Sequence, residues 1–236
     1  MARSLNDQQS KIVARTCCIV PIYNEAPVIE DCISKLGAIF PHILVIDDGS
    51  TDGSATKAKK SGAQVIRHAL NIGQGSAIAT GFKWVQRQGI FQNIVTFDGD
   101  DQHLVEDALR LVEELETNNL DIVFGSRFLT YEKTNTPTLK RAILKVITKI
   151  TNVLTGVSLS DAHNGLRALT VEASKLIKIT QQGMAHASQI VSLTASLKLK
   201  YHEIPVTVLY SPYSRKKGQA TLNGINIIID LVWDEK

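Results

Sequence analysis

The chain has 236 residues, a formal net charge of +3, 44% hydrophobic residues and 21% charged residues. This is the composition of a soluble globular protein, and it excludes a long disordered chain, a collagen and a disulfide miniprotein. The sequence has no apolar run of about 18 residues, so it predicts no membrane-spanning helix. The small net charge does not indicate nucleic-acid binding, and residues 1–15 lack the apolar core of a signal peptide, so we expect a cytoplasmic protein.

The first half of the chain alternates short β-branched segments with segments of helical periodicity. Strands are predicted at residues 17–21, 43–47, 63–67, 93–97 and 121–125. Helices are predicted between them at residues 26–40, 52–61, 74–88 and 104–117, with Asp52 as the N-cap of the second. This alternation predicts an α/β fold in which helices cover both faces of a mostly parallel sheet. Ligands of such sheets bind at the carboxyl ends of the strands.

The second half of the chain is less regular. Helices are predicted at residues 138–155, 171–179, 186–199 and 222–233, strands at 165–170 and 201–210, and a basic loop at 213–221. No repeat or linker composition interrupts the sequence. We therefore predict one domain over residues 1–236, with a first half at about 16–125 and a second half at about 126–236.

Three cysteines, Cys17, Cys18 and Cys32, are typical of a reducing compartment. Cys17 and Cys18 are neighbours in the first predicted strand, where successive side chains face opposite sides of the sheet. They are therefore poorly placed to pair or to share a metal, and we interpret them as small core residues.

Acidic and polar side chains follow three of the predicted strands. They are PIYNE after the first strand, DDGSTD after the second and DGDDQH after the fourth. Carboxylates that crowd one edge of a sheet repel each other unless a cation or hydrogen-bond donors meet them. Asp98 and Asp100 are two residues apart, and such oxygen ligands suit Mg²⁺ or Mn²⁺ on a diphosphate. A solvated acidic loop is the alternative.

Four ordered motifs, PIYNE, VIDDGSTDGS, NIGQGSAIATG and FDGDDQH, resemble the signature segments of family-2 glycosyltransferases. The similarity covers about residues 19–211 and is greatest to the dolichyl-phosphate mannose synthase-like and polyprenyl-phosphate glucosyltransferase-like branch. The resemblance implies the GT-A (nucleotide-diphospho-sugar transferase) fold, a Rossmann-like, mostly parallel sheet flanked by helices. It also implies a metal-dependent, inverting transfer of a sugar from a UDP- or GDP-sugar to an acceptor.

The resemblance also implies roles for individual residues. The nucleotide-binding residues would be Pro21, Tyr23, Glu25, Asp48, Gly73, Gln74 and Asp98, with Gly75 in the same loop as Gly73. The Mg²⁺ or Mn²⁺ ligands would be Asp98, Asp100 and Gln102. Arg127 and Arg215 would meet the acceptor phosphate, and Arg127 and Asp161 would be the catalytic residues. Each has a plainer alternative: Tyr23 as a packing residue, the glycines as an ordinary turn, and Arg127 as a surface ion pair.

The chain departs from the family pattern at two places. Many members have glycine where this chain has Asp101, and many have an acidic residue in the segment that corresponds to residues 183–189, where this chain has none. A carboxylate base therefore cannot be assigned to that segment. Asp161 matches an acidic position of relatives, and we expect it to act in catalysis or in positioning the acceptor. His163 and His186 are weaker candidates that we interpret as structural.

The acceptor determines whether a base is needed. A lipid phosphate is largely ionised near pH 7, because the second pKa of a phosphate monoester is about 6. A hydroxyl acceptor would instead need a general base within hydrogen-bond distance. The missing carboxylate in residues 183–189 favours a polyprenyl or dolichyl phosphate over a saccharide hydroxyl.

The predicted helix at residues 138–155 is amphipathic, with Arg141, Lys145 and Lys149 at successive i, i+4 positions. This pattern is typical of a helix that lies on a membrane surface, and equally of a core helix with a solvated basic face. The apolar segment 222–233 is too short to span a bilayer. It would pack in the core, against lipid or in a homo-oligomer.

Two other functions remain open at this point. A nucleotidyltransferase shares the α/β sheet and the acidic metal ligands, but PIYNE replaces the triphosphate loop expected after its first strand. A catalytically silent nucleotide-sugar-binding module is the other. For the leading hypothesis the partners are a nucleotide-sugar donor, a lipid-phosphate acceptor and the cytoplasmic face of a membrane, with no nucleic acid.

Overall fold

The computed structural model describes residues 5–129, 145–150, 152–153, 156–210 and 213. Its strands are β1 (Thr16–Ile22), β2 (Ile43–Asp47), β3 (Gln64–Arg67), β4 (Asn93–Thr96), β5 (Ile122–Ser126), β6 (Arg167–Thr170) and β7 (Tyr201–Pro205). Its helices are α1 (Asp7–Ala14), α2 (Ile29–Gly37), α3 (Ser54–Lys60), α4 (Gln74–Gln88), α5 (Val105–Thr117), α6 (Val171–Leu176) and α7 (His186–Ser196). Residues 145–150 and 152–153 are also helical. Within these described ranges, no helix has the length and apolarity needed to cross a bilayer.

The strands form one sheet in the order β3-β2-β1-β4-β6-β5-β7. β1 pairs in parallel with β2 and β4, β3 is parallel to β2, and β7 is parallel to β5. Only β6 is reversed among these strands, because it runs antiparallel to both β4 and β5. The predicted α/β fold with a mostly parallel sheet is therefore confirmed. The reversal brings the start of β6 to the edge where β4 and β5 end.

Two hydrophobic clusters cover the two faces of the sheet. One contains apolar residues of α1, α2 and α5, and the other contains those of α4, α6 and α7. Cys18 lies in the first cluster and Cys17 in the second, and both are free thiols, as is Cys32. Their interpretation as core residues on opposite faces is confirmed, and burial raises the pKa of Cys17 to about 12.

Some predicted boundaries are wrong. The N-cap of α3 is Gly53, at φ 87°, and not Asp52. Asp52 instead accepts hydrogen bonds from Ala26 N at 3.0 Å and Ser54 N at 3.1 Å, which joins the loop after β1 to the start of α3. The strand predicted at 201–210 ends at Pro205, whose nitrogen has no hydrogen to donate.

The sequence analysis also missed α1. Asn6 and Gln9 exchange hydrogen bonds at its start and form a capping box, which is a signal that the sequence contains. The predicted helix at 222–233 and most of the predicted helix at 138–155 lie outside the described residues, as do Arg141 and Arg215. The division of residues 1–236 into two halves of one domain stays a prediction.

Candidate active site

The loops after β1, β2 and β4 meet at one edge because these strands are parallel neighbours in the sheet. Asn24 N donates to Ser50 Oγ at 2.9 Å, and Glu25 N donates to Ser54 Oγ at 2.8 Å. These bonds join the loop after β1 to the loop after β2. The structure thus brings together the polar clusters that follow the three strands.

Asp98, directly after β4, is held from two sides. Gln74 Nε2 donates to Asp98 Oδ1 at 2.9 Å, and His103 Nε2 lies 3.3 Å from Asp98 Oδ2. Gly165 leaves room for this carboxylate, since a Cβ there would lie 2.1 Å from Asp98 Oδ2. Burial alone would raise the pKa of Asp98, but His103 and Arg167 outweigh burial and lower it. Asp98 is therefore a fixed, ionised carboxylate.

Asp100 has the opposite electrostatic character. Burial, and then the charge of Asp98, raise the pKa of Asp100 to about 6. Gln102 donates to this side chain twice, from its backbone N to Oδ1 at 3.2 Å and from Nε2 to Oδ2 at 2.6 Å. When two carboxylates lie close together, their repulsion raises the proton affinity of one of them. A bound cation would reduce this repulsion.

The donor set fits a divalent cation that the substrate helps to hold. In the part of the chain that the structure describes, no three His, Cys, Asp or Glu side chains converge on one point. Mg²⁺ is usually bound through one or two carboxylates, with waters and substrate phosphates as the other ligands. Asp98, Asp100 and Gln102 supply oxygen ligands of this kind, and Mg²⁺ or Mn²⁺ would be suitable.

Asp101, where many family members have glycine, is engaged by a lysine of α2. Its backbone has φ 59°, the left-handed conformation that glycine adopts without strain. Its carboxylate pairs with Lys35, with Nζ 2.5 Å from Oδ2. The substitution therefore keeps the unusual backbone and adds a surface ion pair.

Asp48 organises the loop that leads into α4. Its carboxylate meets His68 Nδ1 at 2.7 Å and accepts hydrogen bonds from Ile72 N at 3.1 Å and Gly73 N at 2.7 Å. His68 Nε2 in turn lies 3.0 Å from Thr80 Oγ1 on α4. A contact of Asp48 with the nucleotide base or ribose stays a prediction, and it would have to share or displace these donors.

The glycines at the start of α4 are required by packing. A Cβ at Gly73 would lie 2.3 Å from Gln182 O, and one at Gly75 would lie 1.9 Å from Gln181 O. Gly75 N also donates to Gln182 O at 2.7 Å. The start of α4 therefore already binds the segment before α7, which the GxG motif alone did not reveal.

Glu25 lies under a side chain from the far end of the described chain. It is 7% exposed, and Tyr213 OH donates to Glu25 Oε2 at 3.0 Å. Burial, and then the charge of Glu25, raise the pKa of Tyr213 above its ordinary value. Pro21 is buried in β1 opposite Ile46, whereas Tyr23 is 43% exposed and accessible at the edge. Their contacts with a nucleotide stay predictions.

Arg127 and Asp161 form a buried ion pair on the other side of this edge. Arg127 Nε donates to Asp161 Oδ2 at 2.6 Å, and Arg127 N donates to the same oxygen at 3.1 Å. Burial alone would lower the pKa of Arg127, but Asp161 and Tyr210 raise it above its ordinary value. The Asp161 side chain is 0% exposed. Asp161 therefore orients Arg127, and the catalytic roles expected for these two residues stay predictions.

Glu203 on β7 holds the loop that carries Asp161, a role that the sequence analysis missed. Its carboxylate accepts hydrogen bonds from Ser160 N at 2.8 Å and from Asp161 N at 2.9 Å. Burial raises the pKa of Glu203. The EIP segment contains a charged residue in a predicted strand, but no local pattern identifies its partner 42 residues earlier.

His163 and His186 lie in the polar region next to Arg167. Burial lowers the pKa of each imidazole to about 4. His163 Nε2 lies 3.0 Å from Ser188 Oγ, and His186 Nδ1 lies 2.8 Å from Gly183 O. These contacts support the interpretation of both as neutral structural residues.

The described part of the predicted amphipathic helix has a mixed surface. Ile147 is buried, while Val146 is 57% exposed and Val153 is 77% exposed. Lys145 and Lys149 are exposed on the same short segment. Apolar and basic side chains therefore share the outer surface, and Ile147 supplies the packing contact.

A family model and curated relatives match this chain. The model of the family described as glycosyl transferase family 2 matches residues 17–177, from β1 to just beyond α6. The UDP-N-acetylglucosamine–dolichyl-phosphate N-acetylglucosaminyltransferase of Methanococcus voltae is 27% identical, over 91% of this chain and 93% of its own. The undecaprenyl-phosphate mannosyltransferase of Micrococcus luteus is 29% identical, over 89% and 88%.

A solved structure confirms the predicted GT-A fold. The glucosyl-3-phosphoglycerate synthase of Mycobacterium tuberculosis, in complex with Mn²⁺, UDP-glucose and phosphoglyceric acid, superposes with a TM-score of 0.65 and 16% identity. The superposition covers 94% of this chain and 80% of that chain. From the family match and the named relatives together, the chain is a glycosyltransferase that belongs to family 2.

Proposed function

We propose that the protein transfers a sugar from a nucleoside diphosphate sugar to a polyprenyl phosphate, with a divalent cation and with inversion at the sugar carbon. One observation carries the proposal. The carboxylates Asp98 and Asp100 and the buried cation Arg127 follow β4 and β5, which end at the same edge of the sheet. The carboxylates proposed to hold the cation and the arginine proposed to meet the acceptor phosphate thus lie at one edge of the sheet.

The donor would bind at the ends of β1, β2 and β4. Asp98, Asp100 and Gln102 would hold the cation, and Glu25, Asp48 and Tyr23 lie beside them on the neighbouring loops. The bound cation would neutralise the negative charge that develops on the leaving diphosphate. The relatives named for UDP-N-acetylglucosamine and UDP-glucose support a nucleoside diphosphate sugar as donor.

The buried ion pair supports a phosphate acceptor. A phosphate oxygen is already ionised near neutral pH, so it can attack the sugar carbon without a base. Asp161 is closed to solvent and bound to Arg127, and residues 183–189 contain no Asp or Glu. Names of relatives that act on dolichyl phosphate and undecaprenyl phosphate support the polyprenyl carrier.

The reaction would be a single displacement. The acceptor phosphate oxygen forms a bond to the sugar C1 as the bond from C1 to the diphosphate oxygen breaks. The electron pair of the broken bond leaves with the nucleoside diphosphate, and attack from the opposite face inverts C1. Arg127 would orient the attacking phosphate through its planar guanidinium. Its Nη1 and Nη2 donate to Tyr210 OH at 3.3 Å and His163 O at 3.4 Å, and they would exchange these long bonds for phosphate oxygens.

A lipid acceptor requires contact with a membrane surface. The exposed Val146 and Val153, with the neighbouring Lys145 and Lys149, have the composition of a helix that lies in the interface of an anionic bilayer. We propose that this surface brings the active site to the lipid phosphate.

The test is a transfer assay with purified protein, Mn²⁺ and a panel of radiolabelled UDP- and GDP-sugars. Liposomes that contain polyprenyl phosphate should gain label from one donor, and liposomes without it should not. Label found only on soluble saccharide acceptors would overturn the lipid-phosphate proposal. If no donor gives transfer to any acceptor, the proposed activity is wrong.

The membrane contact has its own test. Changing Lys145 and Lys149 to Glu should weaken sedimentation with anionic liposomes, because repulsion replaces attraction at the headgroups. The matched control changes Lys59 and Lys60 to Glu, two exposed lysines on α3, and should sediment like the wild type. Equal sedimentation of both variants would contradict the proposed surface.

A further inference from the structure

Arg167 is a buried arginine on β6, an inner strand of the sheet, and the proposed reaction does not use it. It is 1% exposed and lies at the start of β6, opposite Thr96 of β4 on one side and Phe124 of β5 on the other. Its guanidinium carbon lies 6.0 Å from the centre of the Phe124 ring. A charged side chain therefore lies in an interior strand position where an apolar side chain would be expected.

The guanidinium of Arg167 is poorly satisfied. Nη2 donates to Ala162 O at 3.4 Å, whereas Nε and Nη1 have no hydrogen-bond partner among the described residues. Burial lowers the pKa of Arg167 to about 10, so it stays protonated near neutral pH. Buried charged donors without partners reduce stability, and each such group in a native protein requires an explanation.

Two carboxylates from opposite sides of the active site face this charge. Asp98 lies two residues beyond Thr96, and Gly165 lies two residues before Arg167. The antiparallel register therefore places the Asp98 carboxylate over Gly165, two residues before Arg167 on the same face of β6. Arg167 lowers the pKa of Asp98, and both Asp98 and Asp161 act electrostatically on Arg167. Arg167 thus lies between the metal-binding side and the acceptor side.

Neither carboxylate has Arg167 as a hydrogen-bond partner among the described residues. Asp98 has Gln74 and His103, and Asp161 has Arg127. A purely structural arginine would be expected to complete the hydrogen bonds of its neighbours. Arg167 contributes its charge and few hydrogen bonds, so its presence is explained better by function than by stability.

We infer that Arg167 is a positioning residue whose buried charge holds Asp98 and Asp161 in register, so that one side chain aligns the donor cation site with the acceptor arginine. The inference rests on the proposed function, because it assigns Asp98 to the donor side and the pair of Arg127 and Asp161 to the acceptor side. On this inference, the reversed strand β6 connects the donor side with the acceptor side.

The test compares Arg167→Met, which keeps the volume and removes the charge, with Arg167→Lys, which keeps the charge. Arg110→Met is the matched control, because Arg110 pairs with Asp107 on α5 at the surface. Three quantities are measured for each variant: the melting temperature, the affinity for Mn²⁺ alone by electron paramagnetic resonance, and kcat and KM for transfer.

Arg167→Met should melt at the wild-type temperature or higher, since it removes unpaired buried donors. It should bind Mn²⁺ more tightly, because a positive charge near Asp98 is gone, yet its kcat should fall by about 10- to 100-fold, as for other groups that orient metal ligands. Arg167→Lys should recover part of kcat and bind Mn²⁺ like the wild type. Arg110→Met should match the wild type in Mn²⁺ affinity and kcat.

Two outcomes would overturn the inference. One is wild-type Mn²⁺ affinity and kcat in Arg167→Met. The other is a melting temperature that falls in both Arg167 variants together with kcat, which is the result of a structural role. If the wild type itself transfers no sugar, the proposed function fails, and the Mn²⁺ affinities and melting temperatures still decide whether Arg167 acts on Asp98.

Discussion

The charges are balanced differently in the two regions of the candidate site, the proposed donor side at Asp98 and Asp100 and the proposed acceptor side at Arg127 and Asp161. On the donor side the Asp98 side chain is 27% exposed, and the pKa of Asp100 is raised to about 6 because two carboxylates lie together. On the acceptor side Asp161 is 0% exposed and Arg127 is 9% exposed, and each neutralises the other. The first region carries negative charge that a bound cation would neutralise. The second uses an internal pair to hold one guanidinium in place.

Under the proposed function, this difference suits two phosphate groups with different roles in the reaction. A leaving diphosphate gains charge during the reaction and is best met by a metal ion. An attacking phosphate already carries its charge and needs orientation, which a buried ion pair supplies at low entropic cost. Four predictions test this contrast.

The largest effect is expected at Asp100. Asp100→Asn should lower kcat/KM for transfer on the order of 100- to 1,000-fold, because it removes a charge that holds the cation at the leaving group. Steady-state assays at several Mn²⁺ concentrations measure this. The matched control is Asp101→Asn, one residue away, which should keep most activity because Asp101 pairs with Lys35. Equal losses in the two variants would contradict a specific role for Asp100.

Asp161 tests the closed pair on the acceptor side. Asp161→Ala should lower the free energy of unfolding by about 3 kcal/mol or more, because it leaves the buried Arg127 without its partner. Asp161→Asn keeps an oxygen that accepts from Arg127, so its loss should be smaller. Urea unfolding measures both. An Asp161→Ala protein as stable as the wild type would show that Arg127 does not depend on this pair.

His186 predicts how the stability of the protein responds to acid. Burial, and then the charge of Arg167, lower its pKa to about 4, whereas an unfolded histidine has a pKa of about 6.5. The unfolded state therefore takes up a proton between these values that the folded state does not. Stability is complete above pH 6.5 and falls as the pH decreases, by about 2 kcal/mol at pH 5 from this residue.

The measurement is urea unfolding of the wild type and of His186→Gln from pH 7 to pH 5. The variant should lose less stability over this range, because it has no imidazole to protonate at this position. Identical pH slopes for the two proteins would mean that His186 is charged or accessible in the folded state.

The smallest effect is expected at Asp101, beside the donor cluster. Asp101→Gly removes an exposed ion pair with Lys35, worth ~0–1 kcal/mol, and relieves a left-handed backbone, worth about 1 kcal/mol. The net change in unfolding free energy should therefore be within about 1 kcal/mol of zero. Thermal unfolding measures it, and a large loss would show that Asp101 is part of the cation site.

Local patterns predicted a large part of this molecule. The alternation of β-branched segments with helical periodicity predicted β1 to β5 within a few residues, since both periodicities depend only on near neighbours. The acidic clusters after β1, β2 and β4 then had to meet, because parallel strands end at the same edge. The spacing of Asp98 and Asp100 did not show how the two carboxylates differ. Gln74 and His103 contact the oxygens of Asp98, whereas Asp100 has the raised pKa.

Contacts between distant segments were decided by the tertiary structure alone. Asp161 reaches Arg127 across 34 residues, and Glu203 reaches Asp161 across 42. Gly75 is required because Gln181 packs on it. No periodicity records such pairs, because they depend on which loops the strand order brings to one edge and on which polar groups are buried there together.

The amino-acid sequence by itself determined the class of the fold, the place of Asp98 and Asp100 after a strand of the sheet, and the family to which the chain belongs. The tertiary structure decided that β6 is reversed, that Asp161 is the partner of Arg127, and that Arg167 is buried at the start of β6. The physical reason is that secondary structure follows from short-range periodicity, whereas the energy of a buried charge depends on neighbours that only the folded chain supplies.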